Sequence, residues 1–224
     1  VRRRTVVLGV LVAFLVASLL VVHLADRARA SGDKCDRFAS DSVARAADVT
    51  GTGAPVVVIG DSWSAGLGLD RIASSWPSRL PGAVHVAAFS GSGFSEQAGS
   101  CRGVSFADRA PAAVGRGTDL VVVEGGLNDY DVANADIRSG FRRLMSELRG
   151  HRVVVVGPAT APSRAPEVPR VDALLARLAA SYGVDYVRTS GLELPYLDDR
   201  LHLTQAGHDE FGDYVAGEIA SLQS

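Results

Sequence analysis

A serine that attacks a carbonyl carbon needs a base to take its proton, a group to hold that base, and donors for the oxygen that turns negative. Residues of each kind stand at separated points of this 224-residue chain. Ser62 closes the tripeptide Gly60-Asp61-Ser62, directly behind the apolar run Val56-Val57-Val58-Ile59. Such a run reads as a buried parallel strand, so the hydroxyl is delivered at a strand's carboxyl end, where open α/β sheets bind ligands. By themselves Gly, Asp and Ser are the commonest turn residues, and a plain turn is the default reading of the tripeptide.

A base for Ser62 must come from five histidines. His23 lies in an apolar amino-terminal stretch, His85 in a strand, and His151 beside Gly150 at a helix end, where a cation suits the dipole. His208 falls inside the closing helix, which points to a structural role. His202 follows Asp199 by three positions in Asp199-Arg200-Leu201-His202. In a turn that spacing lets the carboxylate accept the imidazole Nδ1–H while Nε2 faces the serine. The bland alternative is a solvated loop. Metal ligation by Asp199, His202, His208 and Asp209 is disfavoured, because the two histidines are six apart and no third firm ligand stands with them. No cofactor is expected.

Three donors for an oxyanion end up near the same sheet edge: the Ser62 N–H, the Gly91 N–H in Ser90-Gly91-Ser92-Gly93, and the Asn128 amide in Gly126-Leu127-Asn128-Asp129. Each has a plainer reading, a turn glycine for Gly91 and a helix N-cap region for Asn128-Asp129.

The elements that must position these residues alternate. Strands are predicted at 56–59, 83–89, 119–124, 153–156 and 184–189. Helices are predicted over 106–114, over the stripe Ile137, Phe141, Leu144, Met145 and Leu148, over Val171 to Tyr182, and over 204–222. The segment from Trp63 to Leu80 reads as loop with one helix, and prolines at 158, 162, 166 and 169 break regular structure. This order predicts an α/β fold, a parallel sheet of about five strands with helices on both faces. No phosphate loop or dinucleotide fingerprint is present.

The balance of 23 basic against 25 acidic residues gives no sign of nucleic-acid binding. At the amino terminus Arg2, Arg3 and Arg4 precede an uncharged run from Thr5 to Val22, a pattern that enters membranes. Roughly 18 to 20 apolar residues suffice to span a bilayer, while Ala28-Arg29-Ala30 offers a cleavage site with Ser31 behind it. Residues 1–30 are therefore a signal peptide or a membrane anchor, and the rest is exported by the positive-inside rule. Export makes a disulfide between Cys35 and Cys101, the two cysteines present, the economical expectation. Residues 31–53 read as a polar collar with a short helix near 38–47, and 54–224 as one domain, expected to be monomeric.

Gly60-Asp61-Ser62, Ser90-Gly91, Gly126-Leu127-Asn128-Asp129 and Asp199-Arg200-Leu201-His202, in this order and at these strand ends, resemble the blocks of the SGNH (GDSL-like) hydrolase superfamily. The resemblance covers about residues 54 to 222. It implies a flavodoxin-like three-layer α/β/α fold and a metal-independent serine hydrolase acting on esters. Ser62 would be nucleophile and oxyanion donor, Gly91 and Asn128 the other donors, His202 the base and Asp199 its orienter. Two departures stand out: Trp63 follows the serine where many members carry Leu or Tyr, and Gly93 competes with Gly91 as donor. The substrate class expected is an acetylated carbohydrate or a lipid ester. Acyl transfer to a sugar hydroxyl and a non-catalytic envelope-binding module are the alternatives. A nucleophile elbow is absent, since position 64 is Ser rather than Gly.

Overall fold

A computed structural model describes residues 2–222, with the side chains of residues 2–15, 17, 25 and 28 outside that description. The chain divides into two units, Val1–Arg37 and Phe38–Ser224. The first is helical, within α1 (Arg2–Ala47). For much of the apolar run expected to enter a membrane the side chains lie outside that description, and among the described residues no helix is long and apolar enough to cross one. Both Cys35 and Cys101 are disulfide-bonded, as expected.

The second unit holds five strands: β1 (Pro55–Gly60), β2 (Ala83–Ala88), β3 (Leu120–Glu124), β4 (Val153–Val156) and β5 (Asp185–Val187). They form one sheet, all neighbours parallel, in the order β2-β1-β3-β4-β5. Between them run α2 (Ser62–Ala65), α3 (Phe106–Ala113), α4 (Asn134–Glu147) and α5 (Val168–Tyr182), and α6 (Gln205–Ser221) closes the chain. The expected α/β architecture is therefore the one observed.

The valine runs explain the layering. Successive side chains of a strand point to opposite faces, and Val56, Val58, Val122, Val154 and Val156 join Trp63, Trp76, Phe211 and Val215 in one core. Their alternates Val57, Ile59, Val121, Val123, Val153 and Val155 join Phe106, Phe141, Leu144 and Leu174 in the other. Thus α6 covers one face and α3, α4 and α5 the other. The order reverses direction at β1, and the crevice that such a reversal opens lies beyond the carboxyl ends of the strands.

Two stretches differ from expectation. The residues read as a polar collar continue α1 to Ala47, with Phe38 and Arg45 buried. The Arg45 guanidinium is held by the Ser75 hydroxyl at 3.3 Å and the Asp48 carbonyl at 2.9 Å. Between Trp63 and Leu80 there is no long helix, only α2 and two 3-10 turns, Ile72–Ser74 and Trp76–Arg79. Gly66 and Gly68, both at positive φ, break that stretch.

Candidate active site

β1 ends at Gly60, where no side chain fits: a Cβ would collide with the Ser64 hydroxyl. Asp61 then caps α2, its Oδ1 accepting the Trp63 N–H at 2.9 Å. This leaves Ser62 at the first position of a helical turn, nearly buried at 6% exposure.

His202 and Asp199 arrive from the far end of the chain. The Asp199 Oδ1 accepts the N–H groups of Leu201 and His202, both at 2.9 Å, which closes a tight Asx-type turn. Arg200 adopts φ of +57° to let the turn form. The other carboxylate oxygen lies 2.5 Å from His202 Nδ1, and His202 Nε2 lies 3.1 Å from Ser62 Oγ. With Nδ1–H donating to Asp199, Nε2 is the lone-pair nitrogen and accepts from the serine. Burial works against ionisation of Asp199, but the His202 imidazole and the two backbone N–H groups outweigh it and hold the carboxyl below its ordinary value. The carboxylate therefore stays charged opposite the base. His208 stays outside this arrangement. It is buried, its Nδ1 accepts the Trp76 N–H at 3.3 Å, and burial followed by the nearby His202 lowers it to about 4.

Asn128 sits in the 3-10 turn Leu127–Asp129 behind β3. Its amide donates to Asp61 Oδ2 at 3.1 Å and to the Ser92 carbonyl at 2.9 Å. Asn128 is thereby tied to the residue before Ser62 and the residue after Gly91. Gly91 has φ of +81° and only the Phe38 ring, 3.9 Å away, near the place of a Cβ. At Gly93 a Cβ would strike the Asp129 carboxylate and stand 2.7 Å from Ala98 Cβ. Gly93 is thus pressed against Asp129, whose oxygens accept the N–H groups of Phe94 and Ser95 at 3.0 and 2.9 Å.

Three buried carboxyls ring the strand ends. Burial pushes Asp61 up to about 6, against the Trp63 N–H and the charges of His202 and Arg109. Burial pushes Asp129 up to about 7. Glu124, at the end of β3, is raised well above the ordinary range by burial and by Asp61, while accepting the Ser64 hydroxyl at 2.7 Å.

Pro169, expected to break regular structure, instead sits in the first turn of α5, where no helical hydrogen bond needs its missing N–H. The loop before α5, which holds Pro158, Pro162 and Pro166, meets the His202 turn through the Ser163 N–H and the Arg200 carbonyl at 3.0 Å. Close by, a cavity of about 680 Å³ opens between Thr160, Pro162 and the stretch Ser190–Tyr196. The Tyr196 ring packs on Trp63 with centroids 6.1 Å apart.

Sequence reasoning did not single out Asp61 as a partner of Asn128, Trp63 as a donor to Leu201, or Arg109. For Asp61 the signal was available, since a capping aspartate before a buried serine must bury its other oxygen too. For Arg109 there was none.

A family model described as the GDSL-like Lipase/Acylhydrolase family matches residues 58–210. Among solved structures, Est24, a carbohydrate acetylesterase from Sinorhizobium meliloti, is 18% identical at a TM-score of 0.62, covering 76% of this chain and 100% of its own. The aryl esterase of M. smegmatis is 20% identical at a TM-score of 0.59, covering 76% and 100% respectively. A family two carbohydrate esterase from Clostridium thermocellum is 17% identical at a TM-score of 0.62, covering 77% and 64%. No curated protein matches the chain.

Proposed function

The chain belongs to the GDSL-like lipase/acylhydrolase family and is an ester-hydrolysing enzyme, and we propose that it works through an acyl-enzyme on Ser62, with His202 as base and Asp199 as its orienter. The observation that carries this reading is the continuous chain of contacts, 3.1 Å from Ser62 Oγ to His202 Nε2 and 2.5 Å from His202 Nδ1 to Asp199.

In the first half-reaction Ser62 Oγ bonds to the ester carbonyl carbon and its proton passes to Nε2. The oxygen that becomes negative takes donors from the N–H groups of Ser62 and Gly91 and from Asn128, which shares an amide hydrogen now given to Asp61 and Ser92. One such donor is worth about 3 kcal/mol of barrier. The tetrahedral intermediate collapses as the carbon–alkoxy bond breaks and Nε2 returns the proton to the leaving alcohol. Water then attacks the acyl-enzyme with its proton going to Nε2, and that proton restores the Ser62 hydroxyl as the acid leaves. Asp199, held ionised, keeps the Nδ1–H tautomer throughout.

The substrate we infer is an acetylated carbohydrate or a lipid ester outside the cytoplasm. The carbohydrate acetylesterase of S. meliloti named above supports the first of these. The arginine triplet with its apolar run and the disulfide-bonded Cys35 and Cys101 support export.

The test is release of p-nitrophenol from acetyl through long-chain esters by the full chain and by Ser62→Ala. Turnover abolished in Ser62→Ala is expected. Turnover that survives it, or a Ser62 that does not react with a fluorophosphonate probe, overturns the reading.

A further inference from the structure

The three donors proposed for the oxyanion come from three different strand ends, β1, β2 and β3. Strand pairing ends with the strands themselves: the β1–β2 register stops at Gly60 and Ala88, and the β1–β3 register stops at Ile59 and Val123. Something beyond the ladder must hold Ser62, Gly91 and Asn128 to the tolerance that catalysis demands, because a misplacement of about 1 Å costs on the order of a hundredfold in rate.

Arg109 reaches this point from α3. Its Nη2 donates to the Gly60 carbonyl and to the Ser92 hydroxyl, both at 2.9 Å. Its Nη1 donates to the Ala87 carbonyl, and its Nε to the Val104 carbonyl at 3.0 Å. One planar guanidinium thus ties together the last residue of β1, the end of β2 and the loop that carries Gly91. Gly60 lies two residues before Ser62. Ser92 follows Gly91, and its carbonyl is the acceptor that holds Asn128. The Ser92 hydroxyl passes the constraint on, donating to the Phe89 carbonyl at 2.7 Å. The positive charge of Arg109 also favours the ionised form of the buried Asp61 carboxyl, the second acceptor of the Asn128 amide. All three donors are therefore at most two residues or one hydrogen bond from a group that Arg109 holds.

We propose that Arg109 is a positioning residue for the oxyanion site, fixing the Ser62, Gly91 and Asn128 donors relative to one another through Gly60, Ala87 and Ser92. The inference rests on the serine mechanism above. It goes beyond that mechanism by assigning a task to a residue outside all four sequence blocks. Arg109 would act through the groups it holds, its Nε, Nη1 and Nη2 all donating to protein acceptors. Its fork geometry is what matters, since an ammonium in its place carries the charge but cannot span acceptors on three chain segments.

The experiment compares the full chain with Arg109→Lys, Arg109→Gln and Ser92→Ala, measuring kcat, KM, affinity for an alkyl boronic acid that mimics the tetrahedral intermediate, and Tm. Arg109→Gln is expected to lower kcat by about 100-fold with KM within about threefold, and to weaken boronic acid binding in proportion to kcat. Arg109→Lys should lose about tenfold or more despite keeping the charge. Ser92→Ala, which removes one acceptor and leaves the guanidinium on Gly60 and Ala87, should lose several-fold in both kcat and boronic acid affinity, with Tm lowered by the two lost hydrogen bonds but the fold kept. It serves as the deciding variant if neither arginine variant folds. Folded variants whose kcat stays within threefold, or whose boronic acid affinity is unmoved, overturn the assignment. Absence of Ser62-dependent turnover in the parent chain would instead overturn the serine mechanism itself, a separate and distinguishable result.

Discussion

The indole N–H of Trp63 donates to the Leu201 carbonyl at 3.0 Å, joining the residue after Ser62 to the residue before His202. The serine and the imidazole are thus set at hydrogen-bond distance by a second bond running alongside the first. Trp63 is 1% exposed and its ring packs on Phe211 at 5.2 Å, so the anchor is rigid on the serine side. Trp63→Phe keeps most of the packing and strands the Leu201 carbonyl. We expect kcat to fall about tenfold with KM little changed, and stability to drop by about 1–3 kcal/mol. Steady-state kinetics with chemical denaturation check both, and an unaltered kcat would sever the link between this bond and the catalytic geometry.

Asp199 supports the turn through one oxygen and the imidazole through the other. In Asp199→Asn the amide oxygen can still cap the turn, but the amide nitrogen then faces Nδ1 and drives the proton to Nε2, the wrong nitrogen for a base. A loss of about 10³- to 10⁴-fold in kcat is expected, with Tm nearly retained. A loss under tenfold would mean that Asp199 builds the loop and does nothing for the tautomer.

Gly91 and Gly93 separate cleanly by substitution. Gly91→Ala forces a side chain into the left-handed region, at about 1–2 kcal/mol, but into space where the nearest atom is 3.9 Å away. It should lower kcat at a modest cost in Tm. Gly93→Ala collides with Asp129 and should unfold or strongly destabilise the domain. Thermal melts beside kinetics decide, and full activity in folded Gly91→Ala would show that the backbone N–H of this position tolerates a side chain and that the site does not require glycine there.

The buried carboxyls give stability a definite slope with pH. Asp129 is raised by burial to about 7 in the folded chain, against about 3.9 when unfolded. Its neutral form is favoured by folding, so its contribution is full below about pH 4 and is lost as pH rises through about 7. Asp61, raised to about 6, acts in the same direction. Asp199, and Asp213 through its hydrogen bond to Arg79, are held low, so their opposite contributions fall away only at more acid pH. His208, lowered by burial to about 4, opposes the slope up to about pH 6.5, and the three carboxyls raised by burial, Asp129, Asp61 and Glu124, outweigh it. Tm should therefore be higher at pH 5 than at pH 7.5, and Asp129→Asn should lower Tm overall while flattening that slope. A Tm that rises between pH 5 and 7.5 would contradict the assignment.

The parallel sheet was legible in the sequence because strands covered on both faces show as short uninterrupted apolar runs, Val56 to Ile59 and Val153 to Val156, each a local pattern. The helical stripe from Ile137 to Leu148 was legible for the same reason, being a local periodic pattern. Asp199 and His202 could be paired from the sequence because three positions in a turn is a local relation as well. Non-local relations were not legible. Arg109 on a short helix looks like any solvent-facing cation until the fold brings Gly60, 49 positions away, to its guanidinium. Phe38 and Arg45 look like a polar collar until Arg45 meets the Ser75 hydroxyl, 30 positions away. Tertiary contact decided these residues, and local propensity carried no trace of it.

The 140 positions between Ser62 and His202 have a consequence for the life of the chain before it is folded. The imidazole reaches the serine only when the Asp199 turn is closed and α6 has laid Phe211 against Trp63 and Trp76. Until then Ser62 is an ordinary alcohol, no more reactive than any other serine in a growing polypeptide. On the proposed mechanism, hydrolytic power is thus switched on by the completion of folding itself, and the chain is harmless while it is being made.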